Sequence, residues 1–134
     1  MNILLIDDDA ETLDNLQSVL EQCMHSCTCF TKPEEALEEY RNKTYDVVIT
    51  DMRMPVMNGI QLLKNIRLIN PEAKVIILTA FLDAETAIAA SCNHAYALFN
   101  KPLNIISLVE SLKRIENGEY KLAPSDSQLL PLNI

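Results

Sequence analysis

The sequence predicts an α/β fold, a single doubly wound parallel sheet with helices on both faces. Two observations lead there. Five short apolar runs are each followed by a stretch whose apolar residues recur at three- and four-residue steps. Strands that alternate with helices through short connections build right-handed βαβ units, whose sheet is buried on both sides. Length is the third constraint. At 134 residues the chain is long enough for one domain to bury a core unaided, and far short of the roughly 250 residues of an eight-unit barrel.

The first strand is expected at residues 2–6, where Ile3-Leu4-Leu5-Ile6 runs into Asp7-Asp8-Asp9. A helix over 11–24 follows, with Leu13, Leu16, Val19 and Leu20 on one stripe; Asp9, just before it, suits the capping of its orphan amides. The second strand is expected at 27–30. The second helix, 33–41, starts at Pro33, which lacks the amide that a first turn leaves unused, and Glu34 and Glu35 lie near its positive end. The third strand, 46–50, carries Val47-Val48-Ile49-Thr50 into Asp51. Asn58-Gly59 opens a third helix in which Ile60, Leu63, Ile66 and Arg67 repeat at helical spacing. A strand at 74–78 precedes a weaker, alanine-rich helix at Ala84–Cys92. A fifth strand at 96–99 leads to a last helix, Ile105–Glu116, with Leu108, Leu112 and Ile115 inward and Gly118 as its C′ residue. Tyr40, Tyr45 and Tyr96 read as packing residues.

The pattern stops there. Residues 1–118 are expected to form one domain, and residues 119–134, with Pro124 and Pro131 between two small apolar clusters, a flexible tail. The best architecture for five such units is the flavodoxin-like strand order 2-1-3-4-5, whose switch point falls between the first and third strands.

Composition narrows the function. The chain is 49% hydrophobic and 22% charged with net charge −8. That acidity argues against direct nucleic-acid binding, which needs clustered Lys and Arg. No apolar run has the length of a membrane span, and the first strand begins almost at Met1, so a cytoplasmic location without membrane attachment is expected. Cys23, Cys27, Cys29 and Cys92 lack paired metal-binding spacing and read as reduced, partly buried thiols. His25 and His94 have no partner pattern and read as surface or loop imidazoles.

The chemistry gathers at strand ends. In an open α/β sheet ligands bind outside the carboxyl ends of the strands, and here two neighbouring strands end in Asp7-Asp8 and Asp51. Bare carboxylates about 4 Å apart repel by roughly 4 kcal/mol at an effective dielectric near 20, so the cluster calls for a cation. All-oxygen donors suit Mg²⁺, which keeps several waters and bridges to phosphate. Removing either Asp7 or Asp8 is therefore expected to relieve repulsion in the metal-free fold.

Further marks follow on the remaining strands: Met54-Pro55 and Gly59 behind Asp51, Thr79-Ala80 after the fourth strand, and Lys101-Pro102 after the fifth. In this order the chain resembles a response-regulator receiver domain of two-component signalling over residues 1 to about 118. The resemblance implies that Asp51 accepts a phosphoryl group from a histidine kinase or histidine phosphotransfer protein. It implies further that Asp7, Asp8, Asp51 and the Arg53 backbone carbonyl hold Mg²⁺, and that Lys101 and Thr79 assist as catalytic groups. Pro55, Gly59 and Pro102 would shape the loops. Arg53 and Phe81, two residues after Asp51 and Thr79, would tune dephosphorylation.

Two departures bear on switching. The family commonly has Tyr or Phe three residues before the lysine, where this chain has Leu98, the partner of Thr79 in the expected switch. A Gly-Ala often precedes the fifth strand, where this chain has His94-Ala95. The leading expectation is a stand-alone receiver, not an enzyme in the turnover sense, that changes its binding to a downstream protein target. The alternative is the receiver portion of a longer transcriptional response regulator. An aspartyl-phosphate phosphatase would carry a second Asp where Arg53 stands, and a flavin-binding domain would place a phosphate-cradling loop where three acids lie.

Overall fold

The computed structural model describes residues 1–118, so the expected tail at 119–134 lies outside the described residues. The elements alternate as β1 (Asn2–Ile6), α1 (Ala10–Gln22), β2 (Ser26–Phe30), α2 (Pro33–Asn42), β3 (Val47–Asp51), α3 (Gly59–Ile69), β4 (Val75–Thr79), α4 (Ala84–Cys92), β5 (Ala97–Asn100) and α5 (Ile105–Glu116). All strand pairs are parallel, and the sheet order is β2-β1-β3-β4-β5. None of the described helices is long and apolar enough to cross a membrane.

Alternation along buried strands divides the core in two. Leu4, Ile6, Val48, Val75, Ile77 and Leu98 face one layer, where Leu37, Leu63, Ile66, Ala87 and Ala90 come from α2, α3 and α4. Ile3, Leu5, Ile49, Ile76, Leu78 and Phe99 face the other, against Leu13, Leu20, Leu108 and Leu112 of α1 and α5. The period-two pleat explains the split, since neighbours in a strand point to opposite faces. Leu62, absent from the expected stripe of α3, is fully buried as well.

Strand bounds differ from the expected ones by one residue at most, and the largest difference is at the end of a helix. Helix α1 stops at Gln22, short of Met24, because the chain turns back on itself there. The Met24 amide donates to the Glu21 carbonyl at 3.1 Å and the His25 amide to the Leu20 carbonyl at 3.2 Å, with Met24 left-handed at φ 70°. That is a Schellman ending. Helix α4 ends the same way: His94 donates to Ser91 at 3.0 Å, Ala95 donates to Ala90 at 2.9 Å, and His94 has φ 61°. Gly118 takes the corresponding place after α5 with φ 77°, as expected. The glycine often found before the fifth strand is thus explained by backbone geometry, which His94 adopts at a cost.

His25 corrects its expectation. It is buried, not on the surface, with Nδ1 3.1 Å from the Met1 amino group. Burial, then that amino charge, lowers its pKa. Two cysteines also differ from the partly buried reading: Cys23 and Cys92 are exposed, while Cys27 and Cys29 on β2 are half-buried, and all four are free. Burial pushes the Cys27 thiol up to about 11, which keeps it protonated and unreactive.

Candidate functional site

The site is a product of register. Ile6 of β1 pairs with Thr50 of β3, so the next residue on each strand, Asp7 and Asp51, emerge side by side at the same sheet end. Asp51 pairs with Leu78, and Thr79 pairs with Asn100, which puts Lys101 one step past the end of β5. Four strand ends therefore deliver the acids, the hydroxyl and the ammonium to one crevice.

Carboxylate oxygens of Asp7, Asp8 and Asp51 all lie within 4.8 Å of one another. Asp7 and Asp51 are buried and Asp8 is exposed. Lys101 reaches in from β5, its Nζ 3.1 Å from Asp51 Oδ1 and 3.2 Å from Asp7 Oδ2. Asp7 also accepts the Asp9 amide on Oδ1 at 2.9 Å. Asp7 and Asp8, grouped together as sources of repulsion, therefore differ: Asp7 is paired and hydrogen-bonded, whereas Asp8 faces water. Asp9 stands apart from the cluster, accepting the Glu11 amide as the N-cap of α1.

Burial, the largest influence, raises the Asp51 pKa; the Lys101 hydrogen bond opposes it and the Asp7 charge adds to it. Burial also works against the Lys101 charge, but its bonding to Asp51 and the charges of Asp51 and Asp7 outweigh that, leaving the ammonium above its ordinary value. The crevice thus holds one fixed cation among three acids. An excess of oxygen donors over cations fits a hard divalent ion such as Mg²⁺, with Asp8 offering the most accessible oxygens.

The loop after Asp51 is fixed from behind. A Cβ on Gly59 would lie 2.7 Å from the Asp51 carbonyl oxygen, and the Gly59 amide donates to the Met52 carbonyl at 2.8 Å. Only glycine permits this approach. Asn58 and Gln61 close a capping box over the start of α3. Within the loop Val56 is left-handed at φ 73° and exposed, a conformation that a β-branched residue rarely adopts. Pro55 is exposed beside it, and Met54 is buried. The Lys101–Pro102 peptide is cis.

The other expected residues lie around this cluster. Thr79 is buried and its hydroxyl is engaged locally: it donates to the Phe81 carbonyl and accepts the Phe81 amide, each at 3.2 Å. Leu98 is fully buried among the side chains facing α3 and α4. Arg53 and Phe81 are both exposed. Sequence reasoning missed Thr50, a fully buried hydroxyl that donates to the Asp51 carbonyl at 3.0 Å. Its position immediately before the acid on a strand was the available signal.

Comparison with known proteins agrees with this geometry. The family model described as "Response regulator receiver domain" matches residues 3–113. The chain is 35% identical over 114 residues to the transcriptional regulatory protein ZraR of Salmonella typhimurium, covering 85% of this chain and 26% of that protein. It is 34% identical over 128 residues to the DNA-binding transcriptional regulator NtrC of Escherichia coli, covering 95% and 27%. The chain therefore spans about a quarter of the length of these relatives. Among solved structures, a response regulator receiver domain protein from Clostridium thermocellum superposes with a TM-score of 0.83 at 33% identity, over 87% of this chain and 94% of that one. The model match over most of the chain makes the conclusion plain: this protein belongs to the response-regulator receiver family.

Proposed function

We propose that Asp51 is the phosphoacceptor of a two-component relay and that phosphorylation changes the binding of this domain to a downstream protein. The observation that carries the reading is Lys101 Nζ held between Asp51 and Asp7 at 3.1 and 3.2 Å, at an all-oxygen site of three acids. An Asp51 carboxylate oxygen attacks the phosphorus of a phosphohistidine. The P–N bond breaks, its electron pair returns to the imidazole, and an aspartyl phosphate remains. Asp7, Asp8, Asp51 and the Arg53 carbonyl would hold Mg²⁺, which when bound neutralises charge spread over the phosphoryl oxygens. Lys101, beside Asp51 and Asp7, supplies a second positive charge. Thr79 exchanges its Phe81 partners for a charge-assisted bond to a phosphoryl oxygen.

The donor is a histidine kinase or a histidine phosphotransfer protein. An apolar groove of about 350 Å³ supports a docking place for it, lined by Leu16, Val19, Leu103 and Ile105 with Lys101 and Pro102 on its border. Lys101 belongs to both groove and site, so a donor lying along the groove presents its phosphohistidine to Asp51. In this reading the domain assists its own phosphorylation without turning over a substrate, acts in the cytoplasm, and contacts neither nucleic acid nor membrane. Arg53 and Phe81 offer no carboxylate or amide to position a water, so hydrolysis of the phosphoryl group is slow.

Leu98, with Thr79, forms the expected switch pair, but a leucine sealed in the core fills less space than an aromatic and changes the surface less. The proposed output face is around residues 84–116. A second reading, the receiver portion of a longer transcriptional regulator, is favoured by the quarter-length match to ZraR and NtrC. Incubation with acetyl phosphate and Mg²⁺, followed by intact-mass measurement, tests the common core of both readings. One added phosphoryl group, absent without Mg²⁺, is the expected result.

A further inference from the structure

The peptide that joins Asp51 to Met52 is held at both ends. Its amide, on Met52, donates to the Leu78 carbonyl of β4 at 2.8 Å, and its carbonyl oxygen, on Asp51, accepts the Thr50 hydroxyl at 3.0 Å. Gly59 closes on the same oxygen, so nearly that a Cβ there would lie 2.7 Å away. The Gly59 amide is engaged elsewhere, donating to the Met52 carbonyl at 2.8 Å. By the pleat of β3, Thr50 leaves the strand on the face of Val48, against α3, while Asp51 leaves on the other. There it is fully buried, with its hydroxyl 3.9 Å from the Met54 sulfur. An apolar layer is a costly place for a hydroxyl, and a valine has the same shape. The bond to Asp51 is thus what distinguishes threonine at this position.

We propose that Thr50 is a positioning residue for phosphoryl transfer: its hydroxyl fixes the tilt of this peptide, and with it the placement of the Asp51 carboxylate relative to the Arg53 carbonyl. The proposal rests on Asp51 being the phosphoacceptor and deepens that reading. The two groups, which would share Mg²⁺, are two residues apart on one loop, so their separation depends on the peptide between them. Mg²⁺ demands near-ideal octahedral geometry, and displacing a reacting group by about 1 Å can cost on the order of a hundredfold in rate. Lys101 holds the carboxylate itself at 3.1 Å. Thr50 holds the backbone behind it, from the α3 face. Gly59 limits the peptide only by contact, which blocks movement toward α3 and leaves tilting free. A hydrogen bond is directional and resists the tilt.

Thr50→Val, which removes the hydroxyl and keeps the shape, and Thr50→Ser, which keeps the hydroxyl, provide the test. In EDTA the Met52 and Gly59 amides of Thr50→Val should exchange with deuterium roughly tenfold faster relative to Ile49, the worth of one hydrogen bond. A loss of overall stability alone would speed Ile49 equally. With acetyl phosphate, read by intact mass per folded molecule, the same variant should need roughly tenfold more Mg²⁺ for its half-maximal rate and reach a lower maximum. Thr50→Ser should recover most of both. If Thr50→Val does not fold, Thr50→Ala takes its place, since it differs from Thr50→Ser by the hydroxyl alone. Native exchange at Met52 or a native Mg²⁺ dependence in the variant without the hydroxyl would overturn the proposal, as would a Thr50→Ser as impaired as that variant. If the native chain gains no phosphoryl group, or Asp51→Asn still gains one, the phosphoacceptor reading fails and this one with it. Those results come from chains that keep Thr50, which separates them from the rest.

Discussion

Helices α3 and α4 follow adjacent strands of one sheet, yet they are held to it in opposite ways. Helix α3 buries Ile60, Leu62, Leu63 and Ile66, starts with a two-way capping box, and presses Gly59 against the Asp51 carbonyl. Helix α4 buries two alanines, starts with a single Asp83 cap, and ends on a left-handed histidine. Buried apolar area sets how firmly an element is held. In the proposed function the loop that carries Asp51 is thus backed by the firm helix, and the proposed output face includes the loose one. Transfer and response would make different demands on stability, and this reading assigns them to neighbouring elements.

The sharpest challenge to this contrast is Leu98→Ala. Leu98 is fully buried between strand and helix, so its truncation should cost about 2–5 kcal/mol in chemical denaturation. Because the proposed output face includes α4 and a leucine at this position changes the surface little, the phosphorylation-dependent change in partner affinity should survive. Loss of that change in a folded protein would make Leu98 the switch. Gly59→Ala probes the firm side. Its Cβ meets backbone at 2.7 Å, so strain should lower stability by roughly 1–3 kcal/mol and slow phosphoryl uptake by displacing the loop behind Asp51. Unchanged stability and uptake would show that the loop is not held there.

On the loose side, His94→Gly should stabilise the fold by about 1 kcal/mol, since it removes the side chain's penalty at φ 61°. Thermal unfolding measures it, and no gain would mean that the His94 side chain makes compensating contacts. The smallest effect concerns Asp51 itself. Its pKa is raised in the folded state, chiefly by burial, so the stability it contributes is full below its unfolded value, near pH 4, and is lost as pH rises through the folded value. Asp51→Asn should therefore be the more stable protein near neutral pH in EDTA, with the advantage vanishing in acid. An advantage that persists below about pH 4 would place its origin in packing instead of charge.

Much of the site was legible because strand ends announce themselves. An apolar run that stops at an acid reads the same in any sequence, and Asp7, Asp8, Asp51 and Lys101 do converge. Asp9 was legible as a cap because local hydrogen bonding is encoded locally. The ion pair between Lys101 and Asp7, 94 residues apart, depends on register and could not be read from either segment alone. Met24, Val56 and His94 were hidden for another reason: each takes a left-handed backbone without the glycine that would have marked it. The burial of His25 was equally silent, since its partner is the Met1 amino group and not a patterned residue.

The central claim is that the firmly backed carboxylate, and no other acid of the cluster, receives the phosphoryl group. Radiolabelled acetyl phosphate with Mg²⁺ measures this directly when the native chain is run beside Asp51→Asn, Asp8→Asn and Asp7→Asn. The account predicts stable labelling of the native chain, none in Asp51→Asn, and loss or strong slowing in the Asp7 and Asp8 variants, which lack an oxygen charge for the metal. Label that persists at Asp7 or Asp8 when Asp51 is replaced, or that forms equally well in EDTA, would contradict it.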